Sequence, residues 1–180
     1  MHGMNFGRLT FHDFDSAADS VLVAPSTAKI APAVPGLRVA AIDPELSDTD
    51  AFCEHYGIGL DVTGNCIIVE GRHGGVVSHA AVVVAGDARA DINGIVRRAL
   101  HVHKLSFAPT QTAVELTGME YGGITPVGLP ADWPILVDER LAAQDEVLVG
   151  SGIRASKILL PGSSLAALPG AVSLALRKEQ

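Results

Sequence analysis

The stretch from Cys66 to Ala85 reads CIIVEGRHGGVVSHAAVVVA, and it decides the class of fold. Two apolar runs, at residues 66–70 and 76–85, flank the segment Arg72-His73-Gly74-Gly75. Paired glycines between two runs rich in β-branched residues are typical of a tight turn that joins neighbouring strands. The stretch therefore predicts an antiparallel hairpin whose second strand is mostly buried.

Short apolar runs on both sides of this hairpin predict further strands. The candidate strands lie at residues 37–42, 104–107, 134–137, 146–149, 157–160 and 172–176, with a weaker one at 21–23. Helical spacing of apolar residues, preceded by side chains that suit a helix start, predicts helices between several of these strands. The candidate helices lie at residues 47–56, 91–100 and 109–116, followed by a short helix or turn at 163–168.

The number and order of these elements indicate the architecture. Strands outnumber helices and several strands follow one another directly, which disfavours a regular alternation of parallel strands and helices. We expect one α+β domain with a mixed, mostly antiparallel β-sheet flanked by helices. Residues 1–36 give weak signals and are treated as an N-terminal extension of uncertain structure, so the domain is expected to span residues 37–180.

Composition excludes several classes of protein. Of the 180 residues, 48% are hydrophobic and 18% are charged, which excludes a disordered chain. The 13 basic and 20 acidic residues give a formal charge of −7, so the chain is a poor general binder of polyanions. DNA is therefore not an expected partner, and any contact with nucleic acid has to come from a local basic face.

Cysteine usage and hydropathy bear on location. Cys53 and Cys66 are the two cysteines and form no disulfide framework, and the N-terminus shows no secretory signal, so we expect a cytoplasmic protein. The longest stretch without charged residues or histidine runs from 158 to 176. Because prolines and glycines interrupt it, we expect no membrane span.

The most unusual stretch is residues 115–130, ELTGMEYGGITPVGLP. Its glycines allow backbone amides to approach a ligand closely, and its prolines restrict the shape of the loop. N–H groups exposed on a rigid loop suit the binding of an oxyanion or a carboxylate. The same composition is also typical of a long connection made of turn residues, so both interpretations stand at this point.

Residues 122–128 of this stretch, GGITPVG, resemble the GxxxP loop of the superfamily formed by YbaK and the editing domains of prolyl-tRNA synthetases. The flanking elements come in the order found in that superfamily. The hairpin and the helix GDARADINGIVRRAL precede the loop, and the segment VLVGSGIRASKI follows it. The resemblance covers about residues 40–170.

The resemblance implies that the protein is an aminoacyl-tRNA deacylase. Such domains hydrolyse in trans the ester between a wrong amino acid and the terminal adenosine of tRNA. Catalytic roles would fall on Asn65 and on the loop residues Gly122, Gly123 and Pro126, because the loop amides hold the substrate carbonyl. The terminal hydroxyl of the tRNA helps to activate water, so no metal and no other cofactor is expected.

The resemblance also places a second set of residues at the substrate, namely Thr125, Gly150, Ser151 and Lys157. Two of these positions, and Asn65, depart from the usual pattern of the superfamily. Asn65 stands where active members usually carry a lysine, and asparagine can form hydrogen bonds but supplies no charge. Gly150 stands where a small polar residue is common. Lys157 replaces a histidine or an aspartate, and a cation there would favour an acidic or strongly polar amino acid.

These departures leave three functional interpretations open. The first is a deacylase that acts on mischarged tRNA, with aminoacyl-tRNA as its partner. The second is a binding module that keeps the pocket but has lost the chemistry. The third is a hydrolase of a small aminoacyl ester unrelated to tRNA. The oligomeric state is equally open, a homodimer included.

Other candidate sites are weaker. Arg97, Arg98 and Lys104 form the densest basic stretch, which could contact tRNA phosphates or could be a solvated end of a helix. Cys66 could act as a nucleophile with His79 as its base, although a cysteine among isoleucine and valine is more often a core residue. Further histidines could suggest a metal, but their spacing matches no zinc pattern. They are His73, His101 and His103.

Overall fold

A computed structural model describes residues 3–178 of the chain. Its strands are β1 (Met4–Phe6), β2 (Leu9–Asp13), β3 (Arg38–Ala41), β4 (Gly64–His73), β5 (Val76–Ala85), β6 (Lys104–Phe107), β7 (Ile135–Asp138), β8 (Val147–Gly150), β9 (Ser156–Leu160) and β10 (Ala171–Leu174). Its α-helices are α1 (Ser16–Asp19), α2 (Pro25–Ile30), α3 (Thr49–Tyr56), α4 (Arg97–Ala99), α5 (Thr110–Thr117), α6 (Glu139–Ala142) and α7 (Gly162–Ala166). A π-helical segment, Ile92–Val96, leads into α4.

The strands divide into two five-stranded sheets. The first sheet has the order β1-β2-β3-β9-β8, and all its neighbouring strands are antiparallel. The second has the order β10-β7-β5-β4-β6, in which β7 pairs in parallel with both β5 and β10. A parallel bridge between Thr63 and Leu148 joins the two sheets at the start of β4. The predicted α+β domain with mostly antiparallel strands is therefore confirmed.

The hairpin at the centre of the second sheet has the predicted form. β4 and β5 pair antiparallel over their whole lengths, and His73 and Val76 close the ladder around a two-residue turn. Both turn residues, Gly74 and Gly75, have positive φ angles of 56° and 81°. A two-residue hairpin turn with positive φ at both positions matches the right-handed twist of the strands, and glycine adopts it without a steric penalty.

The core consists of layers between and outside the sheets. Side chains of both sheets meet in the central layer, whose members include Val39, Ala81, Val83, Val137, Val149 and Ile158. On the outer face of the first sheet, Phe52 and Cys53 of α3 pack on Phe11 and Leu159. On the outer face of the second sheet, Val96 packs on Val69 and Val82. Because β5 is covered on both faces, its last six residues are all buried, as its unbroken apolar run predicts.

The start of the chain differs from the prediction. The strand predicted at residues 21–23 is wrong, because a turn of 3-10 helix runs over Ser20–Leu22. Val21 is 79% exposed, so it has no place in a sheet, whereas Val23 is buried. Residues before 36 instead contribute β1 and β2 to the edge of the first sheet. Only Phe11 is fully buried among the five residues of β2, which explains why this part of the sequence shows no clear strand pattern.

The apolar stretch at residues 158–176 is divided between β9, α7 and β10. Within residues 3–178, no helix is both long enough and apolar enough to cross a membrane.

Candidate functional site

A cavity of about 300 Å³ lies where the two sheets are joined. Four parts of the chain form its wall: the segment that leads into α3, the start of β4, the glycine-rich loop after α5, and the paired ends of β8 and β9. Its lining residues are Ser47, Asp48, Thr49, Thr63, Gly64, Asn65, Cys66, Ile67, Tyr121, Gly122, Ile124, Leu148, Val149, Gly150 and Lys157. The structure thus brings together four residues to which the resemblance gives a role: Asn65, Gly122, Gly150 and Lys157.

Asn65 lies on the β4 side of the cavity and is held by α3. Its Oδ1 accepts a hydrogen bond of 2.7 Å from the hydroxyl of Thr49, the first residue of the helix. Since the oxygen is engaged in this way, the amide nitrogen of Asn65 is left to donate. Asn65 is therefore an oriented hydrogen-bond donor that carries no charge.

The glycine-rich loop lies against the end of β8 through backbone hydrogen bonds. Gly152 donates its N–H to the carbonyl oxygen of Gly123 at 2.7 Å, and Glu120 donates to the carbonyl oxygen of Gly152 at 2.9 Å. Gly123 closes a turn by donating to Glu120 at 3.0 Å. In the part of the chain that the structure describes, the N–H group of Gly122 donates no hydrogen bond. Gly122 lines the cavity with a φ angle of +85°.

Gly150 allows this loop to come close. A Cβ atom at Gly150 would lie 2.6 Å from the carbonyl oxygen of Gly123 and 2.7 Å from that of Ile124. Gly123 is equally confined, since its Cβ atom would lie 2.6 Å from the backbone of Ile153. Glycine at both positions therefore sets the distance between the loop and the sheet. A residue with a side chain at position 150 would not fit this arrangement.

Lys157 is a buried cation in the cavity wall. The residue is only 6% exposed, and its Nζ donates to the carbonyl oxygen of Ser47 at 3.1 Å. The same Nζ lies 5.2 Å from the centre of the Phe52 ring. Burial lowers the pKa of Lys157 below its ordinary value, while the nearby Cys53 and Asp48 act in the opposite direction.

Two predicted substrate contacts lie in the fold behind the cavity. Thr125 is fully buried, and its hydroxyl accepts the N–H of Val127. Ser151 is also fully buried, and its single hydroxyl hydrogen is shared between the carbonyl oxygens of Ile153 and Ser156, each 3.1 Å from Oγ. These side chains shape the loop and the β8–β9 connection, and a direct contact with substrate stays a prediction. Pro126 and Gly123, both buried, likewise do not line the cavity.

The basic residues form a separate surface. Arg97 and Lys104 line a second cavity together with Arg72 and His103, and Arg98 is exposed nearby on α4. We call Arg72, Arg97, Arg98 and Lys104 the basic face. Lys104 pairs with Arg72 across β6 and β4, seven positions along β4 from Asn65. At about 3.3 Å per residue, the basic face begins roughly 23 Å from Asn65.

The structure does not support the weaker candidates. Cys66 faces Val83 in the hairpin, whereas His79 faces Glu70 and lies 3.3 Å from its carboxylate, so the two are four positions apart along the ladder. Burial also raises the pKa of the Cys66 thiol to about 12, which makes it a poor nucleophile. Within residues 3–178, no group of three or more histidine, cysteine, aspartate or glutamate side chains is placed to hold a metal.

Several lining residues were missed at the level of sequence. Ser47, Asp48 and Thr49 were recognised only as a helix start, although the start of α3 opens onto the cavity. Tyr121, which is 65% exposed at the loop, had no periodic signal at all. The sequence shows that Ser47 and Asp48 precede a helix, but only the tertiary structure shows that they share the cavity with Asn65.

Comparisons with known proteins agree with this geometry. The chain matches the model of the aminoacyl-tRNA editing domain over residues 43–168, which includes every residue that lines the cavity. No curated protein matches it by sequence.

Among solved structures, a proposed trans-editing enzyme for prolyl-tRNA synthetase is 23% identical, with a TM-score of 0.73 over 87% of this chain and 99% of that chain. A protein from work on computational grafting of epitopes onto scaffolds is 22% identical, with a TM-score of 0.74 over 87% and 97% of the two chains. A hypothetical protein is 24% identical, with a TM-score of 0.70 over 79% and 91%. The structural likeness shows a shared fold, and the family model covers most of the sequence. The chain therefore belongs to the aminoacyl-tRNA editing domain family.

Proposed function

We propose that the protein hydrolyses the ester bond of a mischarged aminoacyl-tRNA in trans, within the cavity between Asn65 and the glycine-rich loop. The observation that carries this proposal is the convergence of Asn65, Gly122 and Lys157 on one cavity at the centre of the matched region. The cytoplasm, where charged tRNA is free, is the expected place of action.

The donors around the cavity suit the chemistry of ester hydrolysis. Water adds to the carbonyl carbon, the carbonyl oxygen becomes an oxyanion, and the bond to the ribose oxygen then breaks as that oxygen takes up the proton from water. The Gly122 N–H is the donor proposed for the oxyanion, and the Asn65 amide is proposed to hold the substrate through a neutral hydrogen bond. No side chain in the cavity is assigned as a general base, because the neighbouring ribose hydroxyl of the substrate is proposed to orient the water.

The basic face supports a tRNA substrate. If the terminal adenosine occupies the cavity, a basic surface roughly 23 Å away is within reach of the phosphates of the acceptor end, since it begins about seven strand residues from Asn65. Outside this face the chain is acidic, with a formal charge of −7. We therefore propose that tRNA binding depends on Arg97, Arg98 and Lys104.

Because a net negative charge disfavours binding of a polyanion, a second candidate function is hydrolysis of a small aminoacyl ester without tRNA. A panel of mischarged tRNAs, assayed beside the matching aminoacyl-adenosines, separates the two. A deacylase for tRNA has a much higher kcat/KM for the tRNA ester than for the aminoacyl-adenosine. Equal values would favour the small ester, and no turnover of any ester would leave a binding module.

Removal of the basic face is expected to weaken tRNA binding without affecting the chemical step. The Arg97→Ala, Arg98→Ala and Lys104→Ala triple variant should raise KM for aminoacyl-tRNA and leave kcat near that of wild type. Each phosphate that no longer meets a cation should reduce the slope of log K against log salt by about 0.7 to 0.9. Kinetics at several salt concentrations measure this, and hydrolysis of the matching aminoacyl-adenosine is the control. An unchanged salt slope would exclude this face from the interface.

Loss of the Asn65 amide is expected to slow hydrolysis while the fold persists. A neutral hydrogen bond contributes about 0.5–1.5 kcal/mol, so Asn65→Ala should lower kcat/KM about 2- to 13-fold. Asn65→Lys should also lower activity, because a second ammonium would face the buried Lys157 in the same cavity. Thermal melts check folding. Full activity in a well-folded Asn65→Ala protein would remove Asn65 from the site, and a gain in Asn65→Lys would contradict the proposed charge arrangement.

A further inference from the structure

The cavity contains one buried cation that has no anionic partner. Lys157 lines the wall at 6% exposure, and its Nζ donates to a neutral acceptor, the Ser47 carbonyl oxygen. Among residues 3–178, no carboxylate forms an ion pair with it. A buried ammonium is costly unless an anion or further acceptors reach it. Because Lys157 lines a cavity, an anionic group of a bound ligand can supply the missing partner.

Among residues 3–178, Asp48 is the one acidic residue that lines the cavity, and it directly follows Ser47, whose carbonyl oxygen accepts from Lys157. Asp48 is exposed just before α3, whereas Lys157 is buried in β9 behind Ser47. No other charged residue among the lining residues contributes to the wall. The cavity wall thus carries a carboxylate at an exposed position and an ammonium at a buried one, and the Arg154 guanidinium lies beside Gly122.

The chemistry of the proposed substrate indicates which of its groups lies beside each of the two charged residues. This step rests on the proposed function. The tRNA has to remain outside, so the amino acid, which ends the polymer, reaches deepest. An aminoacyl ester carries a free α-ammonium next to the carbonyl, and its side chain points away from the ribose. The α-ammonium is then placed beside the exposed Asp48 and the side chain beside the buried Lys157.

From this arrangement we infer that the cavity selects an aminoacyl ester with a carboxylate side chain, aspartyl or glutamyl, in which Lys157 holds the side-chain carboxylate and Asp48 holds the α-ammonium. A neutral side chain leaves the Lys157 ammonium without an anionic partner. A lysyl or arginyl side chain adds a second cation beside it. An ester of an acidic amino acid gives both Lys157 and Asp48 a partner of opposite charge.

The sharpest test compares two esters of the same shape. Aspartyl and asparaginyl side chains are nearly isosteric and differ in charge. With the same tRNA or minihelix charged with each, wild-type protein is expected to show a kcat/KM for the aspartyl ester higher by on the order of tenfold, since charge-assisted hydrogen bonds are about twice as strong as neutral ones. Equal values for the two esters, or a preference for asparaginyl, would overturn the inference.

Two variants separate the roles of the charges. Lys157→Met removes the ammonium at similar length and should bring the aspartyl-to-asparaginyl ratio close to one, whereas Lys29→Met, at an exposed lysine of α2 outside the cavity, should keep it. Asp48→Asn should slow both esters equally and leave the ratio unchanged. Acetylation of the α-amino group should remove the effect of Asp48→Asn. A ratio that survives Lys157→Met would exclude Lys157 as the selecting group.

A binding measurement keeps this inference separate from the proposed reaction. Adenosines that carry aspartate or asparagine through a stable 3′-amide cannot be hydrolysed, and calorimetry gives their Kd values for wild-type protein. Tighter binding of the aspartyl compound supports the inference even if no ester is turned over, which would refute only the proposed hydrolysis. Equal binding, or binding of neither compound, overturns the inference. Turnover without preference for the aspartyl ester does the same and leaves the hydrolysis intact.

Discussion

Replacement of Gly150 by alanine is expected to reduce hydrolysis by about 100-fold or more, which is the range seen when one oxyanion donor is lost. The added Cβ atom would lie 2.6 Å from the carbonyl oxygen of Gly123 and 2.7 Å from that of Ile124. Both neighbours are backbone atoms, so the loop itself has to move away from β8. Such a shift displaces the Gly122 N–H, and overpacking of this kind also lowers the free energy of unfolding by about 1–3 kcal/mol.

The control for this prediction is Gly71→Ala, at another glycine inside a strand. Its Cβ atom would meet the Val102 side chain at 2.8 Å, far along β4 from the cavity. A side chain can rotate away, so stability is expected to fall while kcat/KM stays near that of wild type. Denaturant unfolding and deacylation assays on both variants test this. Wild-type turnover in Gly150→Ala would show that the loop position does not govern hydrolysis.

Gly122→Ala is expected to reduce activity about 10- to 100-fold, less than a complete loss of an oxyanion donor. The φ angle of +85° at Gly122 is strained for alanine, which costs about 1–2 kcal/mol. The Cβ atom would also lie 3.2 Å from Nη1 of Arg154 and 3.4 Å from Oγ of Ser47, at the wall that the substrate carbonyl is proposed to approach. Both effects act on the donor proposed for the oxyanion.

Gly118→Ala provides a matched control, because Gly118 ends α5 with a φ angle of +68° and open space around its Cβ position. Both variants should lose a similar amount of stability, measured as Tm and free energy of unfolding. Only Gly122→Ala should lose turnover. Equal losses of activity in the two proteins would mean that Gly122 acts through stability alone, as in an ordinary connecting loop.

Local sequence patterns predict most of the fold because the main strands bury continuous apolar runs. The hairpin of β4 and β5 and the helix that ends at Gly57 follow directly from such patterns. The division of the strands into two sheets does not follow from local patterns, because it depends on the strands with which β9 pairs. β9 lies between β3 and β8, so strands distant in sequence become neighbours. β1 and β2 were missed because short edge strands expose most of their side chains.

The candidate site was predictable where it depends on backbone shape. The glycines of the loop identified one wall, and the resemblance to the editing domains added Asn65 and Lys157. The partners of these residues were not predictable, because the Thr49 hydroxyl and the Ser47 carbonyl oxygen reach them only through the tertiary fold. The same holds for Thr125 and Ser151, since a polar residue near a loop gives no sign of which side it faces.

The hydrogen bond between Lys157 and Ser47 has a consequence for how the protein is made. The two residues are 110 positions apart in the sequence, so this contact closes a very long loop of the chain. Closing such a segment is entropically costly until the interactions that it permits have formed, which makes this closure a slow step. During synthesis, the cavity cannot be complete until β9 has left the ribosome and inserted between β3 and β8. A nascent chain thus acquires its binding capacity late in synthesis.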